Sequence, residues 1–487
     1  MTSEEFSALA GSYDIVPVST LLLADTLTPV SAYLRIREEG KSSYLFESVE
    51  GGERLARYSF IGIDPILKIS CRRDTTTVST NGKSFTYNDD YFTVLKFLLA
   101  AYRHPRMNNL PRFTAGLVGY IGYDMIRHIE NIPECGEDPV AINDAMMALF
   151  SSLIVFDHIR HQVYLIMNVM IDRTKDILGQ FQKAQENLRE LENRLRRGSP
   201  PVQSFGADMR DLTPETSKER FLANVTRAKK YITEGDIFQV VLSQRFSTTY
   251  KGDPFNAYRA LRVINPSPYL YYLEFDDVKV IGSSPEILVR VEDGNCEVYP
   301  IAGTRPRGQN EEEDLARERE LLSDEKELAE HIMLVDLGRN DLGKVCIPGS
   351  VGVDRRMFIV RYSHVMHIAS RVTGKLQSSH DCIDLFKAAF PAGTVSGAPK
   401  IRAMEIIDQM EPTRRGIYAG AIGYIDFAGN MDMCIAIRTM LAVGQRLYFQ
   451  VGAGIVADSV PENEYQETLN KGKALTEALS MAERITE

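Results

Sequence analysis

The sequence predicts an α+β fold in two parts, and three observations carry that prediction. At 487 residues the chain is too long for one ordinary core. Strand-like and helix-like runs are mixed from end to end, and the apolar runs Phe150 to Phe156 and Val163 to Met167 flank a polar turn, a hairpin signal. A stretch with Pro, Gly and Ser but no periodicity, Ser199-Pro200-Pro201 through Leu212, reads as a linker. The expected division is therefore an N-terminal domain over 16–170, a helix and linker over 171–213, and a second domain over 214–482.

The elements follow in order. After the hairpin, Ile177, Phe181, Ala184, Leu188, Leu191 and Leu195 recur at spacings of three and four among charged residues. That pattern predicts a long amphipathic helix, stopped by a basic last turn and Gly198. Beyond the linker, Thr216 with Glu219 three residues on predicts a capping box, and Phe221, Val225, Ala228 and Ile232 a buried stripe, with Gly235 as the stop. A strand over Ile237 to Leu242 comes next, and short strands alternate with helices to about residue 455.

Composition excludes several classes. A net charge of −10 argues against a nucleic-acid surface, which needs clustered Lys and Arg. The six cysteines come no closer than Cys346 and Cys382, so there is no CxxC metal pair, and the histidines form no HExxH pair. The acidic start, Met1 to Glu5, is unlike a signal peptide, and no apolar run is long enough to span a membrane. A cytoplasmic protein with reduced thiols is expected. The chain has no tryptophan.

Two glycine-rich stretches invite a nucleotide reading and fail it. In Gly393-Thr394-Val395-Ser396-Gly397-Ala398-Pro399-Lys400 the lysine neither follows the second glycine directly nor precedes Ser or Thr, so it is no Walker sequence. Gly452-Ala453-Gly454 lacks a third glycine; it reads as a tight strand-end turn or as backbone approaching a carboxylate.

Chemistry concentrates after residue 237. Polar residues interrupt apolar runs at Gly282 to Glu286, Ile301 to Gly308, Ala329 to Asp336, Val365 to Ala369 and Pro461 to Glu467. Glu464 and Glu467 share one face if that last segment is helical. Spacing alone favours a solvated acidic helix start; converging carboxylates would instead suit Mg²⁺. His367, inside an apolar run, reads by itself as a core histidine.

Taken together, these segments resemble the chorismate-utilising enzymes over residues 215–480. The specific stretches are Phe390 to Lys400 and Asp336-Leu337-Gly338-Arg339-Asn340-Asp341. Residues 16–165 resemble the N-terminal region of the anthranilate synthase component I family, through Leu45 to Arg54 and Arg57 to Gly62. The resemblance implies a large, two-domain-like α/β sandwich of mostly antiparallel sheets flanked by helices. It implies Mg²⁺ on Glu330 and Glu467, with Glu464 nearby through water. It implies chorismate contacts at Gly303, Thr304, Tyr418, Arg438, Gly452, Ala453, Gly454 and Lys471. Glu286 is then the candidate acid for the departing C4 hydroxyl, Thr394 joins the catalytic set, and His367 serves the lyase stage.

Two positions separate the reactions of such enzymes. Gln239 stands where water-adding relatives carry a lysine base, and Ala302 where enzymes that aminate at C4 carry a nucleophilic lysine. Direct attack of ammonia at C2, the route to anthranilate and pyruvate, is the expectation; an aminodeoxychorismate synthase component I is the alternative. No glutaminase segment is recognisable, so a separate glutamine amidotransferase subunit is expected, in a heterotetramer of two large and two small subunits. The resemblance also implies feedback inhibition by tryptophan bound at Glu47 and Ser48 with Pro266, Ser267, Pro268 and Tyr269, within Asn265-Pro266-Ser267-Pro268-Tyr269, a stretch that otherwise reads as a Pro-rich turn.

Overall fold

The computed structural model describes residues 1–48, 57–80, 82–134, 136–198, 203–362 and 365–485. Part of the Leu45 to Arg54 stretch, the Ser199-Pro200-Pro201 start of the linker and Cys135 lie outside the described residues.

Among the described residues every strand-to-strand ladder is antiparallel, and the ladders join into one continuous path. From one end it runs through Arg446–Ile455, Thr439–Val443, Val278–Ser284 and Tyr269–Phe275. It passes into the N-terminal half at Ser43–Glu47, then Tyr58–Arg72, Ala145–Asp157 and Gly116–Ile121. It returns through Ala421–Asp426, Met431–Ile435, Ile287–Glu292, Asn295–Val298 and Val365–Lys375. Strands from before the linker are thus hydrogen-bonded on both sides to strands from after it. The α+β class and its mostly antiparallel sheets are as expected.

Local chemistry explains the joins. Tyr44 lies opposite Gly62 and Tyr271 opposite Gly282 in register. A Cβ on either glycine would come within 2.1 and 2.2 Å of the tyrosine ring, so each ring covers a strand position only glycine leaves open. The helix Ile177–Arg196 buries Phe181, Ala184, Leu188, Leu191 and Leu195, as its periodicity predicts, and Asp176 caps it. That face packs into a core shared with Phe246, Phe449 and Leu479 from the other end of the chain.

Three expectations change. The helix after the linker spans Lys218–Thr233 and is capped by Ser217, whose hydroxyl accepts from the Arg220 amide; Thr216 is buried and makes no capping box. The linker is partly strand: Phe205–Ala207 pairs with Tyr250–Gly252 and buries Phe205 and Ala207. The strand expected over Ile237 to Leu242 spans Gln239–Gly252, and its partner runs unbroken through Gly452-Ala453-Gly454 to Ile455. The Gly-Ala-Gly segment is strand and not a turn, because the facing strand continues to supply hydrogen-bond partners.

Candidate active site

The ladder between Gln239–Gly252 and Arg446–Ile455 sets one wall of the site. Gly452 and Gly454 face Ser243 and Val241 in register. Both lack a side chain for steric reasons: a Cβ on Gly452 would lie 2.6 Å from the Tyr418 hydroxyl, and one on Gly454 2.7 Å from Gln239 Nε2. Ala453, between them, is buried on the opposite face. The helix Pro461–Ala482 supplies Lys471, whose ammonium donates to the Gly452 carbonyl at 3.0 Å and pairs with Glu467 at 2.7 Å.

Glu286 sits at the start of the strand Ile287–Glu292, and Thr394 Oγ1 donates to its Oε1 at 2.9 Å. Burial pushes the Glu286 carboxyl up to about 8, against the opposing Thr394 hydrogen bond and the Lys471 charge. The group therefore carries a proton at neutral pH, as a general acid must. His367, on the strand Val365–Lys375, meets the bulge between Ala302 and Arg305. Its Nδ1 lies 2.8 Å from the Gly303 carbonyl and 3.1 Å from Thr304 Oγ1. A carbonyl only accepts, so Nδ1 carries the proton and Nε2 keeps a lone pair. Burial, reinforced by Arg438 and Lys471, lowers the imidazole pKa and keeps the ring neutral. Gly303 holds φ +65°, which places its carbonyl against the ring.

The charge of Arg438 reaches both His367 and Tyr418. The residue has φ +52°, its side chain is desolvated beside Tyr418, and it makes no ion pair or side-chain hydrogen bond among the described residues. A guanidinium stays charged even when buried, so this one is left to hold an anion supplied from outside. Glu330 lies across the site on the helix Glu325–Gly343, with Gln239 Nε2 3.3 Å from its Oε1. Its carboxyl is raised by burial first, then by the charges of Glu327 and Glu467. Glu464 is likewise raised by burial and by Glu467. Mutually repelling carboxylates of this kind fit a hard divalent cation. Among the described residues no three His, Cys, Asp or Glu side chains converge on one point, so such an ion would take its remaining oxygens from water or substrate.

The expected residues thus fall into two groups. Glu286, Gly303, Thr304, Glu330, His367, Thr394, Tyr418, Arg438, Gly452, Gly454, Glu467 and Lys471 are linked by the contacts and charges above. Glu47, Ser48, Pro268 and Tyr269 form a separate place, a cavity of about 60 Å³ with Tyr424 and Cys434. Pro266 and Ser267 do not line it; Ser267 bonds instead to Ser283 and Asn265. Lys400, in the glycine-rich stretch, is committed to Asp341 at 2.7 Å and is not available to a phosphate. Two neighbours were not foreseen. Glu327 was within reach, since it stands three residues before Glu330, the spacing of Glu464 and Glu467. Tyr362, stacked edge-on against His367 with its hydroxyl on the Pro285 carbonyl, had no sequence signal.

A buried proton donor, a neutral imidazole, an arginine without an anion and a pair of carboxylates thus belong to one site. Comparison with known proteins agrees: the profile of the chorismate binding enzymes matches residues 41–477, and the chain belongs to that family. A menaquinone-specific isochorismate synthase from Escherichia coli shares the fold, with a TM-score of 0.74, 19% identity and 98% of each chain covered. Within the family the chain belongs with the anthranilate synthase component 1 proteins. It is 46% identical to the one from Acetivibrio thermocellus, with 99% of each covered, and 46% identical to that of Aquifex aeolicus, with 100% and 99% covered. The anthranilate synthase component I structure from Streptococcus pneumoniae superposes with a TM-score of 0.78 at 39% identity, covering 93% of this chain and 99% of that one.

The Thr394 hydrogen bond stabilises the charged form of Glu286, so its loss raises the carboxyl pKa further. An acid works while protonated. Thr394→Val is therefore expected to move the alkaline limb of the kcat profile to higher pH, read from rates between pH 6 and 10. An unmoved or lowered limb would mean that Glu286 is not the titrating acid.

Proposed function

We propose that the chain is the chorismate-binding component of an anthranilate synthase, converting chorismate and ammonia to anthranilate and pyruvate. The observation that carries this is the desolvated Arg438 guanidinium, without an anion among the described residues, in the same site as the carboxyl held neutral at Glu286. Chorismate has two carboxylates. Arg438 takes one, and the Glu330–Glu467 side of the site faces the other. Mg²⁺ on Glu330 and Glu467, when bound, neutralises that second carboxylate and polarises the ring system. Ammonia forms the C2–N bond while the C4–O bond breaks; Glu286 gives its proton to the departing hydroxyl, which leaves as water, and the new C2 ammonium loses a proton that restores Glu286. His367 then takes the C2 proton through Nε2, the C2–H electron pair forms the ring double bond as the C3–O bond breaks, and the departing enolate takes that proton at its methylene carbon to become pyruvate. Gln239 and Ala302 support amination at C2, since neither side chain is a base or an amine nucleophile.

Ammonia is mostly protonated at neutral pH, which supports a partner glutamine amidotransferase that releases it close to the site. Tryptophan is the proposed inhibitor at the cavity of Glu47, Ser48, Pro268 and Tyr269, which joins N- and C-terminal strands and so is suited to bias their relation.

With chorismate, Mg²⁺ and an ammonium salt, the purified chain is expected to form fluorescent anthranilate, and with glutamine alone none. His367→Ala is expected to accumulate the aminated, non-aromatic intermediate, seen by mass spectrometry, with anthranilate formation down about 10²–10⁴-fold. Isochorismate or aminodeoxychorismate as the parent's end product would refute the assignment. Ser48→Phe fills the proposed inhibitor cavity; calorimetric titration should show weakened tryptophan binding with basal rate retained. Unchanged affinity would move the inhibitor elsewhere.

A further inference from the structure

Behind the substrate pocket lies a buried ion pair that none of the roles above uses. Arg415 and Glu411 are each less than one-tenth exposed. Arg415 Nε and Nη2 donate to the two oxygens of Glu411 at 2.8 and 2.7 Å. Two further donors are also committed: Nη1 to the Val395 carbonyl and Nη2 to the Val241 carbonyl, both at 2.7 Å. The guanidinium lies 4.8 Å from the ring centre of Tyr123 and 5.5 Å from that of Tyr418. Glu411 is locked in turn, accepting from the amide and hydroxyl of Ser243 at 2.8 and 2.7 Å, and Gln450 donates to the same hydroxyl at 2.7 Å.

These partners adjoin three walls of the site. Val395 follows Thr394, the donor to Glu286. Val241 and Ser243 are the register partners of Gly454 and Gly452. Tyr418 lies against Gly452. Three walls from distant parts of the sequence thus meet one planar group whose donors have fixed relative directions. Burying such a pair in place of apolar residues is often neutral or costly for stability, so its presence points to geometry.

We propose that Arg415, fixed by Glu411, is a positioning residue that sets the spacing between the Thr394 hydroxyl, Tyr418 and the Gly452–Gly454 strand for the reaction. It does not touch substrate; it acts through the atoms it holds. The inference rests on the proposed function, and the two fail separately: the parent's product tests the reaction, and variants measured relative to the parent test Arg415.

The experiment is Arg415→Lys in the full chain, assayed with chorismate, Mg²⁺ and ammonium. Lysine keeps the charge but cannot bridge Glu411, Val395 and Val241 at once. Misplacement of about 1 Å costs on the order of 10²-fold, so kcat is expected to fall about 10–10²-fold while circular dichroism shows a folded protein. The alkaline limb should move up toward that of Thr394→Val, because the turn carrying Thr394 loses its anchor; the charges facing Glu286, Lys471 above all, are untouched. A folded variant with parental kcat and limb overturns the proposal, as does lost activity that tracks lost folded protein with the limb unmoved. If Arg415→Lys does not fold, Ser243→Ala decides, since it loosens Glu411 and leaves Arg415 in place. A smaller fall in kcat with the limb moved upward supports the role, and parental kinetics overturns it.

Discussion

The ladder between Gln239–Gly252 and Arg446–Ile455 is the constraint on which the rest of the site depends. It brings residues some two hundred positions apart into fixed register. Gln239 thereby reaches both Glu330 and the open face of Gly454, and Gly452 meets Tyr418 and Lys471. Backbone hydrogen bonds hold that wall without consuming a side chain, which leaves the side chains for substrate. The glycines follow from the crowding: a methyl group at either position would occupy the space of a group the site uses.

Burial does most of the electrostatic work. Removing water raises the Glu286 carboxyl until it is a proton donor, lowers the His367 imidazole until it is neutral, and leaves Arg438 charged without an anion. The same physical cause yields an acid, a base and an anion receptor, because the three groups differ in which form is charged. A protein of net charge −10 can receive a dianion only where such local fields override its overall charge.

The sequence and the structure agree where periodicity is clean and part where burial of polar residues hides it. The helix Ile177–Arg196 carries an unbroken apolar stripe and was legible residue by residue. The strand from Gln239 was legible only to Leu242, because Ser243, Gln244 and Arg245 look like an exit to solvent, yet all three are buried against partners from distant segments. The Gly452 to Gly454 segment looked like a turn for the converse reason: glycine in a strand is explained only by the tertiary neighbour it admits. The active-site residues were legible through family resemblance, whereas Glu411 and Arg415, in a polar Pro-containing segment, look like surface residues. Their role depends on contacts with Val241, Ser243 and Val395 that no local pattern encodes.

The central claim is that Glu286 is buried and protonated at neutral pH, under the charge of Lys471. Infrared difference spectroscopy on the full chain, with the Glu286→Gln spectrum subtracted, reads that proton directly. The account predicts a protonated carboxyl C=O band assigned to Glu286 that persists through pH 7 and gives way to the carboxylate bands near pH 8. A Glu286 carboxylate already formed at pH 6 would contradict it.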